Sequence, residues 1–213
     1  MTAVSAAAGE APAPSEIGAA ALAEEELFRA RIYGLLARLL SAPPDAALLA
    51  GLQALSGDET ELGEAFSVLS NAAADTNPEL VREEYHELFI GLTRGELLPY
   101  GSYYLTGFLH EKPLAALRTD LAGLGVARAV DVSEPEDHAA ALCEVMAGLI
   151  DGAYGLPQPV AVQRRFFDAH MAPWLGRLFA DLAGAEAAGF YVAVGQLGRR
   201  FMEIERAAFA MDA

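Results

Sequence analysis

Apolar side chains recur with a helical period along most of the chain. Near the N-terminus they lie at Phe28, Ile32, Leu35 and Leu39, which predicts a helix that stops before Pro43. No segment alternates with the period of two that is typical of a strand. The sequence therefore predicts an all-α fold, a single-domain bundle of roughly eight to ten helices. The predicted helices cover about 22–40, 44–55, 59–73, 78–91, 103–109, 113–124, 133–151, 159–169, 173–186 and 188–209.

The first residues of the chain lack this pattern. Residues 1–16 are rich in Ala, Gly and Pro and cannot bury enough apolar surface to offset the entropic cost of ordering. We therefore expect a flexible tail over residues 1–16, dispensable for folding, and one all-helical domain over 17–213. A length of 213 residues suits one well-cored domain.

Hydropathy and charge narrow the functional classes. Although 54% of the residues are hydrophobic, many are alanine, and no run approaches the roughly 18 apolar residues of a membrane span. The N-terminus lacks the basic residues of a secretory signal, so we expect a cytoplasmic protein with no integral membrane segment. The net charge of −16 disfavours nucleic acid and favours a basic partner. The single cysteine, Cys143, excludes an internal disulfide.

Catalytic and metal motifs are almost absent. We find no glycine-rich phosphate loop and no metalloprotease motif. Only Glu83 and His86 have the Glu-x-x-His spacing of a di-iron bundle, and without a second copy they are best interpreted as a solvated helix face. The sequence thus predicts no catalytic residue, no metal and no cofactor. A metal- or cofactor-dependent helical oxidoreductase is the alternative interpretation, and a nucleotide-using assembly factor is a second.

Two segments have the side chains expected of a peptide-binding site. The loop from Leu98 to Tyr104 holds three tyrosines, a residue type that supplies contact area at little entropic cost; the same rings could instead plug the end of a bundle. In 133–138 we expect a capping box formed by Ser133 and Glu136, with Asp137 and His138 in the first turn of the helix. His138 follows the apolar stripe of that helix, which suits either a satisfied partly buried histidine or a recognition residue at the edge of a groove.

These segments together resemble the TorD/DmsD/NarJ family of redox-enzyme maturation chaperones. The similar segments occur in the family's order: 85–91, 99–104, 134–138, His170 and Pro173-Trp174. The resemblance implies an all-helical chaperone, monomeric or homodimeric, that binds the twin-arginine signal peptide or another segment of a molybdoenzyme precursor until the molybdenum cofactor is inserted. The run from Tyr104 to Leu114 resembles the branch associated with formate dehydrogenases.

The resemblance also assigns site residues. It carries the family's peptide site to Tyr100, Ser102, Asp137 and His138, and the neighbouring residues Pro99, Tyr103 and Glu134 complete the predicted peptide-binding site. Five further residues of the similar segments are expected to have structural roles: Tyr85, Leu88, Phe89, His170 and Trp174.

Overall fold

A computed structural model describes residues 4–6, 24–129 and 133–211, and most of these residues are helical. The all-α prediction is confirmed, since ten helices lie within the described residues. The elements are β1 Val4–Ala6, α1 Glu24–Ser41, α2 Ala46–Gln53, α3 Glu61–Ala74, α4 Pro78–Tyr85, α5 Gly101–Thr106, α6 Lys112–Gly123, β2 Val126–Arg128, α7 Ala139–Asp151, α8 Val160–Phe166, α9 Leu175–Ala183 and α10 Phe190–Met211.

Short polar side chains set the starts of the early helices. Asp45 caps α2 by accepting the Leu48 amide at 2.7 Å, and Asn77 caps α4, where Pro78 occupies the first turn. The cap of α3 is Thr60, which itself donates hydrogen bonds to Asp58 from its amide and its hydroxyl. Each cap satisfies an amide that the first turn of a helix leaves unpaired.

Two helices end in a π-helical turn. Helix α4 continues through His86–Ile90, and α8 continues through Phe167–Met171. In each case the closing amide reaches back five residues: Gly91 donates to the His86 carbonyl at 2.7 Å, and Ala172 donates to the Phe167 carbonyl at 2.8 Å. The first turn lies within the similar segment 85–91, and the second contains His170.

The core forms where α1 packs against α7 and α9 packs against α10. Helices α9 and α10 approach closely because α10 presents glycines to α9. A Cβ on Gly195 would lie 2.5 Å from the Ala183 amide nitrogen, and one on Gly198 would lie 2.2 Å from the Phe179 ring. The largest fully buried side chains of the core include Trp174, Tyr33, Tyr191, Phe167, Phe179 and Phe201.

A short strand pair departs from the expected all-helical pattern. Strands β1 and β2 pair antiparallel, with Ser5 opposite Ala127. At three residues each, they are too short to show a period of two in the sequence. Strand β1 also lies within the predicted tail of residues 1–16, and the other residues of that segment lie outside the described part of the chain.

No helix in the described part of the chain combines the length and the apolar character needed to cross a membrane.

Candidate functional site

The predicted site residues meet where the N-termini of α5 and α7 come together. Tyr100 and His138 face each other in an isolated antiparallel bridge. Two backbone hydrogen bonds close it: the Gly101 amide donates to the Asp137 carbonyl at 2.9 Å, and the Ala139 amide donates to the Pro99 carbonyl at 2.8 Å. We call residues 99–102 and 134–139 the α5–α7 junction. It unites six of the seven predicted peptide-binding residues: Pro99, Tyr100, Ser102, Glu134, Asp137 and His138.

The buried carboxylate of Asp137 links the two segments of the junction. Its Oδ2 accepts the Ser102 amide at 2.7 Å, so Asp137 satisfies an amide at the start of α5. The side chain is 3% exposed, and its Oδ1 and the Ser102 hydroxyl are both buried without a hydrogen-bond partner among the described residues. Buried polar atoms nearly always have partners. The junction therefore holds unused hydrogen-bonding capacity.

His138 is held as a neutral ring. It is the N-cap of α7, and its Nδ1 accepts the Ala140 amide at 3.1 Å, which places the proton of the neutral ring on Nε2. Burial lowers the pKa of His138 to about 4, although the nearby carboxylates of Glu134 and Asp137 act in the opposite direction. At neutral pH the histidine adds no positive charge to the junction.

Tyr100 and Glu134 form the exposed side of the junction. The Tyr100 hydroxyl donates to Glu134 Oε2 at 2.5 Å, and the tyrosine ring meets the His138 ring edge-on at a centroid distance of 5.1 Å. Burial and the hydrogen bond to Glu134 raise the pKa of Tyr100. Because Glu134 itself is exposed, it presents a carboxylate to solvent beside two aromatic rings.

The predicted capping box is wrong. Helix α7 begins at Ala139, and its cap is His138 instead of Ser133. Glu136 is engaged elsewhere, because it pairs with Arg118 of α6 at 2.8 Å. Asp137 accordingly lies before α7 and satisfies an amide of α5.

The segment 170–174, which contains His170 and Trp174, packs against the junction. The Trp174 indole donates from Nε1 to the His170 carbonyl at 2.7 Å, and its ring is buried. Gly101 rests on this ring, since a Cβ there would lie 3.1 Å from Trp174 Nε1. The His170 ring itself lies 2.7 Å from Asp120 Oδ2 of α6. The segment 170–174 therefore positions the loop that carries Tyr100.

The similar segment 85–91, at the end of α4, also packs near the junction. The Tyr85 hydroxyl donates to the Leu40 carbonyl at 3.1 Å, and burial together with Glu134 raises the pKa of Tyr85 to about 12. Leu88 is fully buried, and the Phe89 ring contacts Tyr85 at a centroid distance of 5.0 Å. These contacts place the motif in the core.

Tyr103 does not join the other predicted residues. It lies against Tyr104 in a separate cleft of about 370 Å³, together with Arg94, Arg177 and Asp181. The Tyr104 ring contacts Trp174 on its other side, at a centroid distance of 5.3 Å. Helix α5 thus directs Tyr103 and the junction residues to different parts of the surface.

No group of three or more His, Cys, Asp or Glu side chains within the described ranges could hold a metal ion. Glu83 and His86 are exposed on α4, as expected for a solvated face. Burial raises the pKa of the Cys143 thiol to about 12, so it is protonated and unreactive at neutral pH.

Three glutamates have clear roles that no sequence pattern indicated. Glu84 accepts the amides of Gly189, Phe190 and Tyr191 at the start of α10. Glu96 accepts two amides of the α9–α10 connection, and Glu205 is buried in an ion pair with Arg29. Their only sequence signal is a glutamate in or beside a helix, which is the commonest position of a solvated one.

Comparison with known proteins decides the family. A family model described as "Nitrate reductase delta subunit" matches residues 55–180, more than half of the chain. The chain belongs to this family. The match runs from α3 into α9 and includes the whole α5–α7 junction and Trp174.

Individual relatives agree with the family assignment. The "Chaperone protein TorD" of Vibrio cholerae is 30% identical over 165 residues, covering 74% of this chain and 74% of that protein. The "Chaperone protein TorD" of Aliivibrio salmonicida is 26% identical over 130 residues, covering 57% of this chain and 60% of that protein. The resemblance to TorD-like maturation chaperones is thereby confirmed, and the relatives' named function is non-enzymatic.

A solved structure shares the fold. The crystal structure of an Archaeoglobus fulgidus protein assigned to redox enzyme maturation superimposes with a TM-score of 0.53. The superposition covers 88% of this chain and 99% of the archaeal chain, and the two sequences are 18% identical. The likeness supports the all-helical architecture.

Proposed function

We propose that this protein is a cytoplasmic chaperone for a redox enzyme, and that its α5–α7 junction binds a basic segment of a molybdoenzyme precursor. The twin-arginine signal peptide is the segment that best fits the junction. The chaperone would hold that segment while the molybdenum cofactor is inserted, and it would carry out no reaction itself. Its relatives are named chaperones, which supports the class of function.

The observation that carries the proposal is the buried carboxylate of Asp137. Within the described residues it has one hydrogen bond, from the Ser102 amide, and its second oxygen has none. A carboxylate with an unused oxygen can accept a further hydrogen bond, which is strongest from a charged donor such as arginine or lysine. Within the described residues no basic side chain donates a hydrogen bond to this carboxylate.

The surroundings of Asp137 favour the same ligand. Glu134 presents an exposed carboxylate to solvent, and the neutral ring of His138 adds no positive charge. The cations at the junction are Arg118, which pairs with Glu136, and Arg128, which donates to the Glu134 carbonyl. Tyr100 and His138 add two aromatic faces, which a guanidinium can stack upon. The net charge of −16 increases the rate at which a basic segment encounters the site.

The decisive experiment measures the binding of a twin-arginine signal peptide to Asp137→Asn. Asparagine keeps the shape and an acceptor for the Ser102 amide but removes the negative charge. We expect the affinity to fall by at least about tenfold, on the scale of a lost charge-assisted contact. Isothermal titration calorimetry on the full chain, with thermal unfolding measured in parallel, gives both quantities.

The chain offers a matched control in Asp151→Asn. Asp151 also accepts a backbone amide, that of Ala153 at 2.9 Å, but it lies at the opposite end of α7. This change should leave the peptide affinity unaltered. If both variants bind the peptide as the parent does, the junction is not the binding site.

We also propose formate dehydrogenase as the client enzyme. The support is the run from Tyr104 to Leu114, which follows the junction along α5 and into α6. Co-purification from the native cell, with mass spectrometry of the bound protein, tests the choice of client. Recovery of a different molybdoenzyme would leave the chaperone function in place and correct the client.

A further inference from the structure

The carboxylate of Asp137 lies out of reach of any client while the junction is closed. Asp137 is 3% exposed, and Ser102 beside it is fully buried. The Asp137 Oδ1 and the Ser102 hydroxyl are both buried and have no hydrogen-bond partner within the described residues. A client side chain can therefore use these atoms only after part of the junction has moved.

The contacts that close the junction differ in how readily they open. The two backbone hydrogen bonds of the antiparallel bridge join buried residues, and so does the bond from the Ser102 amide to Asp137. The hydrogen bond from the Tyr100 hydroxyl to Glu134 is instead exposed to solvent. Because it joins two side chains, it can break by rotation about side-chain bonds while the backbone bridge stays closed.

Tyr100 lies close to the buried carboxylate as well as to Glu134. Burial is the main cause of the raised pKa of the Tyr100 hydroxyl, and the charges of Glu134 and Asp137 add to it. The Tyr100 ring also packs edge-on against the His138 ring, next to Asp137 in the chain. Tyr100 is therefore the half-buried neighbour of Asp137, and Glu134 holds the hydroxyl end of its ring.

From these observations we propose that the hydrogen bond between Tyr100 and Glu134 is a gate, which closes the junction over Asp137 and which a basic side chain of the client opens. We call this contact the Tyr100–Glu134 gate. The proposal rests on the proposed function in one respect, since that function names a basic segment as the ligand of the junction.

The position of Glu134 explains how a basic side chain opens the gate. Its carboxylate is exposed, so an incoming arginine or lysine meets it before the buried carboxylate of Asp137. A donor that is itself charged gains an attraction to the carboxylate that the neutral Tyr100 hydroxyl lacks. The basic side chain replaces the hydroxyl, and the released ring leaves Asp137 open to a second basic residue.

The first test follows the gate without any client. Hydrogen exchange of single amides is measured by NMR on the full chain for the parent, Tyr100→Phe and Tyr104→Phe. Phenylalanine at position 100 keeps the ring and removes the hydroxyl, so the Ser102 amide should exchange roughly fivefold faster, the effect of losing one ordinary hydrogen bond. Tyr104→Phe is the matched control, because this α5 hydroxyl donates to Asp181 at 3.0 Å, and its loss should leave the exchange of Ser102 unchanged.

The same measurement separates a side-chain gate from opening of the whole junction. The amides of Gly101 and Ala139, which close the backbone bridge, should keep the exchange rates of the parent. Equal acceleration at all three amides would mean that the bridge itself opens, and it would overturn the gate. A Ser102 amide that does not respond to Tyr100→Phe would also overturn it.

The second test measures the association rate of a twin-arginine signal peptide by stopped flow. Tyr100→Phe should raise the rate constant roughly fivefold, because the gate is already open. Glu134→Gln should lower it, since glutamine keeps the size of the side chain and an oxygen for the Tyr100 hydroxyl but offers no charge to the peptide. A purely structural contact predicts changes in the same direction for both partners. Changes in the same direction, or no change in either variant, contradict the gate.

The two tests keep the gate apart from the proposed function. A peptide that fails to bind the parent overturns the proposed function, while the exchange of Ser102 still decides whether the hydrogen bond closes the junction. A peptide that binds the parent and loses affinity in Asp137→Asn, with exchange and association unchanged in Tyr100→Phe, leaves the proposed function in place and overturns the gate.

Discussion

Two carboxylates are buried among the residues that the structure describes, and their surroundings differ. Glu205, 1% exposed on α10, accepts hydrogen bonds from Arg29 Nε at 2.8 Å, from Arg29 Nη2 at 2.7 Å and from the Tyr33 hydroxyl at 2.8 Å. Asp137, 3% exposed in the α5–α7 junction, accepts one, from the Ser102 amide. The first carboxylate is hydrogen-bonded by a cation and a hydroxyl, while the second receives no hydrogen bond from a cation among the described residues.

The difference separates a structural charge from one that is available for binding. The Glu205 carboxylate is neutralised locally, and it links the two ends of the chain through Arg29 and α10. Its removal should harm the fold. The Asp137 charge is not neutralised in the same way, so its removal should harm recognition more than folding.

The largest effect is expected for Glu205→Ala. Loss of this carboxylate leaves Arg29 and Tyr33 without their main partner, which should cost about 3 kcal/mol of unfolding free energy. For a domain of this size the melting temperature should fall by roughly 6–12 °C. Differential scanning calorimetry measures the melting temperature. The peptide affinity of the folded fraction should be unchanged. A drop in affinity at unchanged melting temperature would remove the distinction between the two carboxylates.

Gly101→Ala should affect both properties. A Cβ at residue 101 would lie 3.1 Å from Trp174 Nε1, and the buried ring cannot easily move. We expect a cost of about 1–3 kcal/mol from overpacking, and weaker peptide binding as the loop shifts. Urea unfolding and calorimetric titration measure the two effects. Gly176→Ala is the control, since a Cβ in that helical position would contact nothing within 4 Å.

A comparison of Asp137→Ala with Asp137→Asn sharpens the distinction between charge and shape. Alanine removes both the charge and the acceptor for the Ser102 amide, so it should cost about 1 kcal/mol of stability, as the loss of a helix cap does. Asparagine should cost less. Both variants should lose peptide affinity to a similar degree. An affinity that is restored by asparagine would show that the hydrogen bond, and not the charge, is what the client needs.

The smallest effect concerns pH. The pKa of His138 is lowered from 6.5 to about 4 in the folded chain, so the unfolded chain binds more protons between these values. The contribution of the neutral ring to stability is therefore present above about pH 6.5 and is lost as the pH falls towards about 4. His138→Asn keeps a capping side chain but cannot titrate. Its unfolding free energy should decline less than the parent's over this range in urea titrations.

Much of the fold could be predicted from the sequence because the pattern that indicates a helix lies within a few neighbouring residues. The stripes that predicted α1 and α10 depend on residues three and four positions apart, and Asn77 with Pro78 marks the start of α4 within a single turn. The strand pair was missed because each strand holds three residues, and its partner lies more than a hundred positions away.

The site was predicted less completely, because its contacts are not local. The start of α7 was misplaced because Ser133 and Glu136 have the spacing of a capping box, while Glu136 instead pairs with Arg118. The contact between Asp137 and Ser102 joins residues 35 positions apart, and the pair Glu205–Arg29 joins residues 176 apart. No pattern within one helix could reveal either. The helix pattern and then the resemblance pointed to Asp137 and His138, and the structure showed how each is held.

The antiparallel bridge between Tyr100 and His138 has a consequence for the order of events during biosynthesis. Its two strands are separated by all of α6 and by β2, so the bridge can close only after that intervening stretch has been made. A nascent chain that ends before residue 138 therefore lacks the junction. The binding site that we propose at the junction is available only once both of its segments have been synthesised.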